Sequence, residues 1–260
     1  MRTIGVIGAG VMGEALITAL IKSGIDGSTI AIHEKRSERA HELTDKYGVV
    51  ATDLHSVAHK DVVLLVVKPQ DMQALLESTE FGENSLLISF AAGKTTTFIQ
   101  SLSHRNRVAR VMPNTPTLVG EGMAAFSTTD AVQDGDKKFI REFLSAAGKV
   151  IEVPERLQDA VTATSGSGPA YFFAFVEAMI EGAKELGLSE SDATTLTVQT
   201  ILGSAKLLAE SGKSATTLRE NVTSPNGTTA AALASFEQSD LQGAVKKAMK
   251  AAHKRSQELA

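Results

Sequence analysis

The residues of this chain best suited to chemistry carry almost no charge. Three short stretches concentrate Gly, Ser, Thr, Pro and Asn: MPNTP (Met112–Pro116), TSGSGPAY (Thr164–Tyr171) and SPNGTTAAAL (Ser224–Leu233). Hydroxyls and main-chain amides grouped in this way can orient a carboxylate and hydrogen-bond a nitrogen, and a helix start leaves its first amides free for such work. Simple capping is the alternative reading of each stretch taken alone. Pro169 suits a first helical turn, where its missing N–H costs nothing, so Ser165–Gly168 reads as a loop entering a long helix. Thr228 or Thr229 reads as the N-cap of another helix. The six histidines, at 33, 41, 55, 59, 104 and 253, all lie outside these stretches. The sequence offers no carboxylate pair, Ser-His-Asp set or metal-ligand spacing. Oxidation of an alcohol would need a base placed to take its proton. Reduction of a C=N bond is less demanding, because an imine nitrogen is far more basic than a carbonyl oxygen and arrives protonated or takes a proton from solvent or a hydroxyl. A hydride source, a dry pocket and an anchor for the substrate then suffice.

A hydride source is indicated at the start of the chain. GVIGAGVMG sets Gly8, Gly10 and Gly13 in the spacing G-x-G-x-x-G, with Ala9, Val11 and Met12 between them, after one predicted strand and at the opening of one predicted helix. The first glycine makes a tight turn, the second admits a pyrophosphate close to the backbone, and the third lets the helix pack on the strand. About 20 residues further on, where an acidic side chain binds a ribose 2′-hydroxyl, the chain reads IAIHEKRSER. Glu34 fits that position, whereas Lys35 and Arg36 suit a 2′-phosphate. Two cations beside one carboxylate favour NADP, with NAD as the alternative, and the charges from Arg39 onward read as solvated. VVKPQ, with Lys68 and Pro69, and SFAAGKTT, with Ala91, Ala92 and Gly93, close two further strands at the edge where open α/β sheets bind ligands.

These pieces need a frame to hold them. Apolar runs at Thr3–Ile7, Thr29–His33, Val62–Val67, Leu86–Phe90 and Val108–Met112 alternate with helical patterns at Met12–Ser23, Ser37–Tyr47, Asp71–Ser78 and Thr95–Ser103. Runs apolar on both faces suit central parallel strands, and the alternation predicts a Rossmann-type, doubly wound, mostly parallel α/β sheet. Two further strands, Met123–Ser127 and Val150–Val153, flank a helix at Asp134–Ala147. Beyond Pro154 only helices are expected: Leu157–Thr164, Pro169–Leu186, Ser189–Ser211, Thr229–Phe236 and Asp240–Leu259. The division is therefore a dinucleotide-binding domain at 1–154 and an all-α domain at 155–260. Two of these helices are apolar around most of their circumference, and a domain of roughly 100 residues has little interior to hide them in. The second domain is thus expected to pack against another subunit, with burial on the first domain as the alternative.

Composition narrows the class further. Across 260 residues, 43% are hydrophobic and 22% charged, with a net charge of −4 and two Tyr. A nucleic-acid partner would want a basic face with aromatics. With no Cys, disulfides, thiolate metal sites and thiol catalysis are excluded, which suits a reducing compartment. The longest aliphatic run, Val62–Val67, is far shorter than the roughly 20 residues of a membrane span. A cytoplasmic protein without nucleic-acid or membrane partners is expected.

Over nearly its whole length the chain resembles the pyrroline-5-carboxylate reductase family, through VIGAGVMG, VVKPQ, SFAAG, RVMPNTPTLVGEGM, DAVTATSGSGPAYFFAFVEAM and LRENVTSPNGTTAAAL. The last two carry most of the specificity. The resemblance implies reduction of the cyclic imino acid L-1-pyrroline-5-carboxylate to L-proline with NAD(P)H, the last step of proline synthesis, by a homodimer often assembled into a decamer. It places the cofactor on Gly8–Gly13, Lys68, Pro69, Ala91, Ala92, Gly93, Asn114 and Asn221. It places the substrate carboxylate on Ser165, Gly166, Ser167, Ser224, Gly227 and Thr228, and gives Thr229 the ring nitrogen and the catalytic role of assisting its protonation. The sequence departs from the family in three places. Asn226 stands where a glycine is usual, IHEKRSER lacks the usual second-strand ending, and TDLH (Thr52–His55) lacks an expected Asn. Two other readings compete. One is a related oxidoreductase acting on another imine or a β-hydroxy acid, which would want a catalytic Lys or Asp where PAYFFAFVEAM offers Glu177. The other is a catalytically weak, nucleotide-binding regulatory relative, supported by Asn226.

Overall fold

A computed structural model describes residues 2–259. Among them eight strands form one sheet: β1 (Ile4–Ile7), β2 (Ile30–His33), β3 (Val50–Ala51), β4 (Val62–Leu65), β5 (Leu86–Ser89), β6 (Val108–Met112), β7 (Gly122–Thr128) and β8 (Gly148–Glu152). Their order is β3-β2-β1-β4-β5-β6-β7-β8. All neighbours run parallel except β6 and β7, which pair antiparallel with Arg110 opposite Ser127. The expected doubly wound, mostly parallel sheet is present, followed by the expected helices.

Period-two alternation on apolar strands produces two cores. Ile4, Val6, Val62 and Leu64 face the helices α1 (Val11–Lys22), α2 (Ser37–Tyr47) and α6 (Asp134–Ser145). Ile7, Val63 and Leu65 face α3 (Leu54–Ala58), α4 (Met72–Ser78) and α5 (Thr96–Ser103). A strand apolar on both sides, as VVLL in β4, is what a helix–sheet–helix sandwich requires. Gly48 ends α2 with φ 67°, and Gly24 follows α1 with φ 95°, both as left-handed residues where such a cap was expected.

The compact units divide the chain at Pro169/Ala170 and again at Lys250/Ala251, with the chain from Ala251 rejoining the sheet unit. Residue 154, expected as the boundary, is where the element type changes. The short helix α7 (Gln158–Val161) and the π-helical turn Thr162–Gly166 stay with the sheet. A buried polar network ties them there, with Arg110 of β6 paired to Asp159 and Gln158 bound to Ser127 of β7.

The other unit, Ala170–Lys250, is built from most of α8 (Gly168–Glu185), α9 (Glu190–Glu210), α10 (Ala215–Asn221), α11 (Thr228–Gln238) and the first part of α12 (Leu241–Glu258). Ser189 and Ser214 cap α9 and α10 by accepting the Asp192 and Thr217 amides. Phe175 and Phe236 join α8 to α11, their rings 6.5 Å apart. Within this unit only Ala193 and Thr197 are buried among the described residues, while Phe172 and Phe173 are each 63% exposed. Helices this apolar and this open require a cover. Three short elements escaped the sequence reading: β3, α3 and α10 are too brief to establish a period.

Candidate functional site

The glycine loop follows β1 into α1, at the carboxyl edge of the sheet and next to β4, where the strand order reverses. Gly8 has φ 91°, and a Cβ there would lie 2.8 Å from the Val66 carbonyl. A Cβ on Gly13 would collide with the carbonyl of Gly8, whereas one on Gly10 would meet nothing within 4 Å. The three positions thus have the three distinct demands read from the spacing: a turn, open access and close packing. Gly10 is the N-cap of α1 and provides no side-chain cap. The first amides of α1, from Val11, Met12 and Gly13, are therefore available to an anion at the positive helix end.

Beside this loop lies the end of β2. Glu34, with a side chain 9% exposed, accepts the Ala9 amide at 3.1 Å. Its other oxygen accepts the amide and Nε of Arg36, at 3.1 and 3.0 Å. Burial pushes the Glu34 carboxyl up, but Arg36 and the Ala9 amide outweigh it and hold the group below the usual carboxylate range. Lys35, Arg36 and Ser37 line one surface depression with Glu38, Arg39 and Glu42. Arg36 is the N-cap of α2 without a side-chain cap, so a helix N-terminus and two cations face one place. Arg39, read as solvated, belongs instead to the loop's support. Its side chain is 15% exposed, donates Nε to the Ala9 carbonyl at 3.2 Å and pairs with both Glu14 and Glu42. Glu14 also accepts from Lys46 at 2.9 Å and from the Tyr47 hydroxyl at 2.8 Å. Arg39 first, then Lys46 and Tyr47, hold the Glu14 carboxyl at about 2.

The next strand ends follow along the same edge. Lys68 is exposed at the start of the turn Pro69–Asp71 after β4. Ala91 is buried after β5, and Gly93, at φ 77°, lies under the C-terminal turn: a Cβ there would come 2.6 Å from Leu259 Cβ. Asn114, after β6, is 9% exposed and accepts the Met123 amide at 2.8 Å through Oδ1. The segment Ser165–Gly168, expected as a loop, continues the helix instead. Thr162–Gly166 is a π turn, closed by the Ser167 amide on the Thr162 carbonyl at 2.8 Å, and α8 starts at Gly168. Such turns occur mostly as single bulges and often at functional sites. Gly166 rests on the Met112 side chain, so MPNTP and TSGSGP are brought together.

The remaining residues belong to the helical unit. The N-cap of α11 is Gly227, not Thr228 or Thr229, which are its first two helical residues. A glycine cap has no oxygen to offer, so the amides of Thr228, Thr229 and Ala230 go without a side-chain acceptor. Ser224 closes the preceding turn, its carbonyl accepting the Gly227 amide at 3.1 Å. Asn226, where a glycine is usual in the family, adopts φ 57°, in the left-handed region that Asn tolerates better than most residues. Asn221 is exposed at the last position of α10. Sequence reading missed Arg110, a charge inside the apolar run VARVM. It is 3% exposed and bound to Asp159 at 3.1 Å.

Comparisons with known proteins agree across the chain. A sequence profile described as pyrroline-5-carboxylate reductase dimerisation matches residues 155–259, and one described as NADP oxidoreductase, coenzyme F420-dependent, matches residues 3–93. The pyrroline-5-carboxylate reductase of Corynebacterium melassecola is 41% identical over all of this chain and 99% of its own length. Among solved structures, the pyrroline-5-carboxylate reductase of Coxiella burnetii superposes with a TM-score of 0.90 at 34% identity, covering 100% of this chain and 98% of that one. The Plasmodium falciparum pyrroline carboxylate reductase, solved with NADP bound, gives 0.86 at 28% identity, covering 99% and 98%.

Proposed function

The chain belongs to the pyrroline-5-carboxylate reductase family, and from that membership we propose that it reduces the C=N bond of L-1-pyrroline-5-carboxylate to give L-proline, the closing step of proline biosynthesis. The observation that carries the reading is the start of α11. An uncapped helix end, preceded by Asn226 in the left-handed region, presents amides and hydroxyls and no acid or base. That equipment suits a substrate that brings its own proton.

A nicotinamide dinucleotide, when bound, supplies a hydride to the imine carbon. The residues present fit it, since the backbone at Gly10 is open where a pyrophosphate must approach. The α1 amides hold the pyrophosphate. Lys35 and Arg36, at the uncapped start of α2, hold a 2′-phosphate, so NADPH is preferred and NADH accepted. Lys68, Pro69, Ala91, Ala92, Gly93, Asn114 and Asn221 complete the cofactor surface. Ser165, Gly166, Ser167, Ser224, Gly227 and Thr228 orient the carboxylate of the cyclic imino acid. Thr229 hydrogen-bonds the ring nitrogen, assists its protonation and fixes the imine plane. Once protonated, the nitrogen keeps its proton as the C=N electron pair collapses onto it.

The protein works as a homodimer through residues 155–260, a reading supported by the dimerisation profile and the open helices, with dimers assembled into decamers as the family's arrangement implies. Its place is the cytoplasm, with which a sequence free of cysteine is compatible. Among the described residues no helix is long and apolar enough to cross a membrane.

The test is direct. Purified protein with the cyclic imine is expected to consume NADPH faster than NADH, followed by nicotinamide absorbance. Absence of turnover with both would remove the reading.

A further inference from the structure

Arg110 sits within β6 at 3% exposure, and a guanidinium cannot shed its charge to escape burial. Its partners come from the segment after β8: Asp159 Oδ1 at 3.1 Å and Glu155 Oε1 at 3.8 Å. Glu155 also accepts the Thr96 amide at 2.6 Å and the Thr96 hydroxyl at the start of α5. Asp159 also accepts the Ser256 hydroxyl at 2.8 Å. Between them Gln158, wholly buried, donates Nε2 to Ser127 Oγ on β7 at 3.0 Å. Positions 155, 158 and 159 share one helical face, so a single face of this segment is pinned to the sheet.

The next turn is the π segment Thr162–Gly166, which leads into Ser167. Gly166 rests on Met112, and Met112 lies two residues beyond Arg110 on the same strand, hence on the same face. One face of β6 thus grips the base of the helix through Arg110 and its tip through Met112. Buried ion pairs contribute little net stability but can select one arrangement over others. At 3% exposure Arg110 is shielded from any ligand, so it can act only through what it holds.

We infer that Arg110 is a positioning residue, setting through Asp159 and Glu155 the orientation in which Ser165–Ser167 meet the substrate carboxylate. The inference rests on the proposed substrate role of those serines, and the experiment separates the two. Steady-state kinetics are measured for Arg110→Met, Arg110→Lys, Asp159→Asn, Ser165→Ala and Ser167→Ala, each checked for dimer mass and far-ultraviolet dichroism. Arg110→Met is expected to raise the KM for the imine about tenfold, because a small misplacement of an anchoring group is costly. The KM for NADPH should stay within about twofold and Arg110→Lys should recover part of the loss. Asp159→Asn should act in the same direction as Arg110→Met but more weakly. An Arg110→Met protein of native mass and dichroism with an unchanged imine KM overturns the inference. Equal rises in both KM values also overturn it, since they mark a general structural role. If Arg110→Met does not fold, Asp159→Asn decides by the same two criteria. Should Ser167→Ala and Ser165→Ala both leave the imine KM unchanged, the substrate reading of the segment itself fails. If they raise it while Arg110→Met does not, only the positioning role falls.

Discussion

Asn226 stands where the family usually has glycine, and its backbone lies in the left-handed region. Its φ of 57° is the conformation that a glycine supplies freely and that Asn adopts more readily than other side chains. Asn226→Gly should therefore leave turnover within about twofold, whereas Asn226→Val should lower it about tenfold or more, because a β-branched residue resists positive φ. Equal activity of the two variants would show that the turn does not need this conformation, and a rise of more than severalfold with Gly would show that the Asn side chain obstructs substrate. Three residues on, Thr229→Ala should reduce kcat/KM for the imine about tenfold, the value of one well-placed hydrogen bond. A change under twofold would remove the role given to that hydroxyl. The cofactor preference is also decided by single residues. Replacing Lys35 and Arg36 with neutral side chains should raise the KM for NADPH more than that for NADH. Equal effects would refute the 2′-phosphate assignment.

At the scale of elements, the glycine loop is held by its neighbour α2 as well as by its own backbone. Glu14 on α1 and Arg39 on α2 form the junction, and Arg39 reaches on to the Ala9 carbonyl. The Glu14 carboxyl lies at about 2, against an ordinary 4.5. A carboxylate depressed on folding stabilises the native state above its unfolded value and loses that contribution as pH falls through the folded one. Glu14→Gln should therefore lower stability at neutral pH by at most about 3 kcal/mol. The gap between the two proteins in thermal melts should close as pH drops from 4.5 towards 2. A gap that persists unchanged at the acid end would mean that packing, not charge, joins the two helices. The same junction marks the limit of what the sequence discloses. The glycine roles were legible because each is a local demand on backbone geometry. Arg39 looked solvated because its partner Glu14 lies 25 positions away. Arg110 went unseen because Asp159 is 49 positions off. The π turn after α7 left no trace in composition or period, since it is a slip of hydrogen-bond register and not of pattern.

For the whole molecule, the open helices raise the question of which chain completes each site. Phe172, Phe173, Leu196 and Leu202 are each more than half exposed, and a patch of this kind on a unit with almost no interior calls for a second copy of the chain. The residues proposed for the nucleotide lie mainly in one compact unit of the chain, whereas Thr229 belongs to the other. If the helices exchange between protomers, those contributions come from different chains. Complementation tests this. Gly10→Asp should abolish nucleotide binding by placing a negative charge where the pyrophosphate must lie, at a position where a Cβ meets nothing within 4 Å. A second chain carries a disabling change at the α11 start, Asn226→Val together with Thr229→Ala. Dissociated, mixed in equal amounts and reassociated, half the dimers would be hybrids, and each hybrid would hold one site free of both defects. About a quarter of wild-type activity should then return. If each site is built from a single chain, every site in the mixture carries one defect, and activity should stay at the level of the unmixed variants.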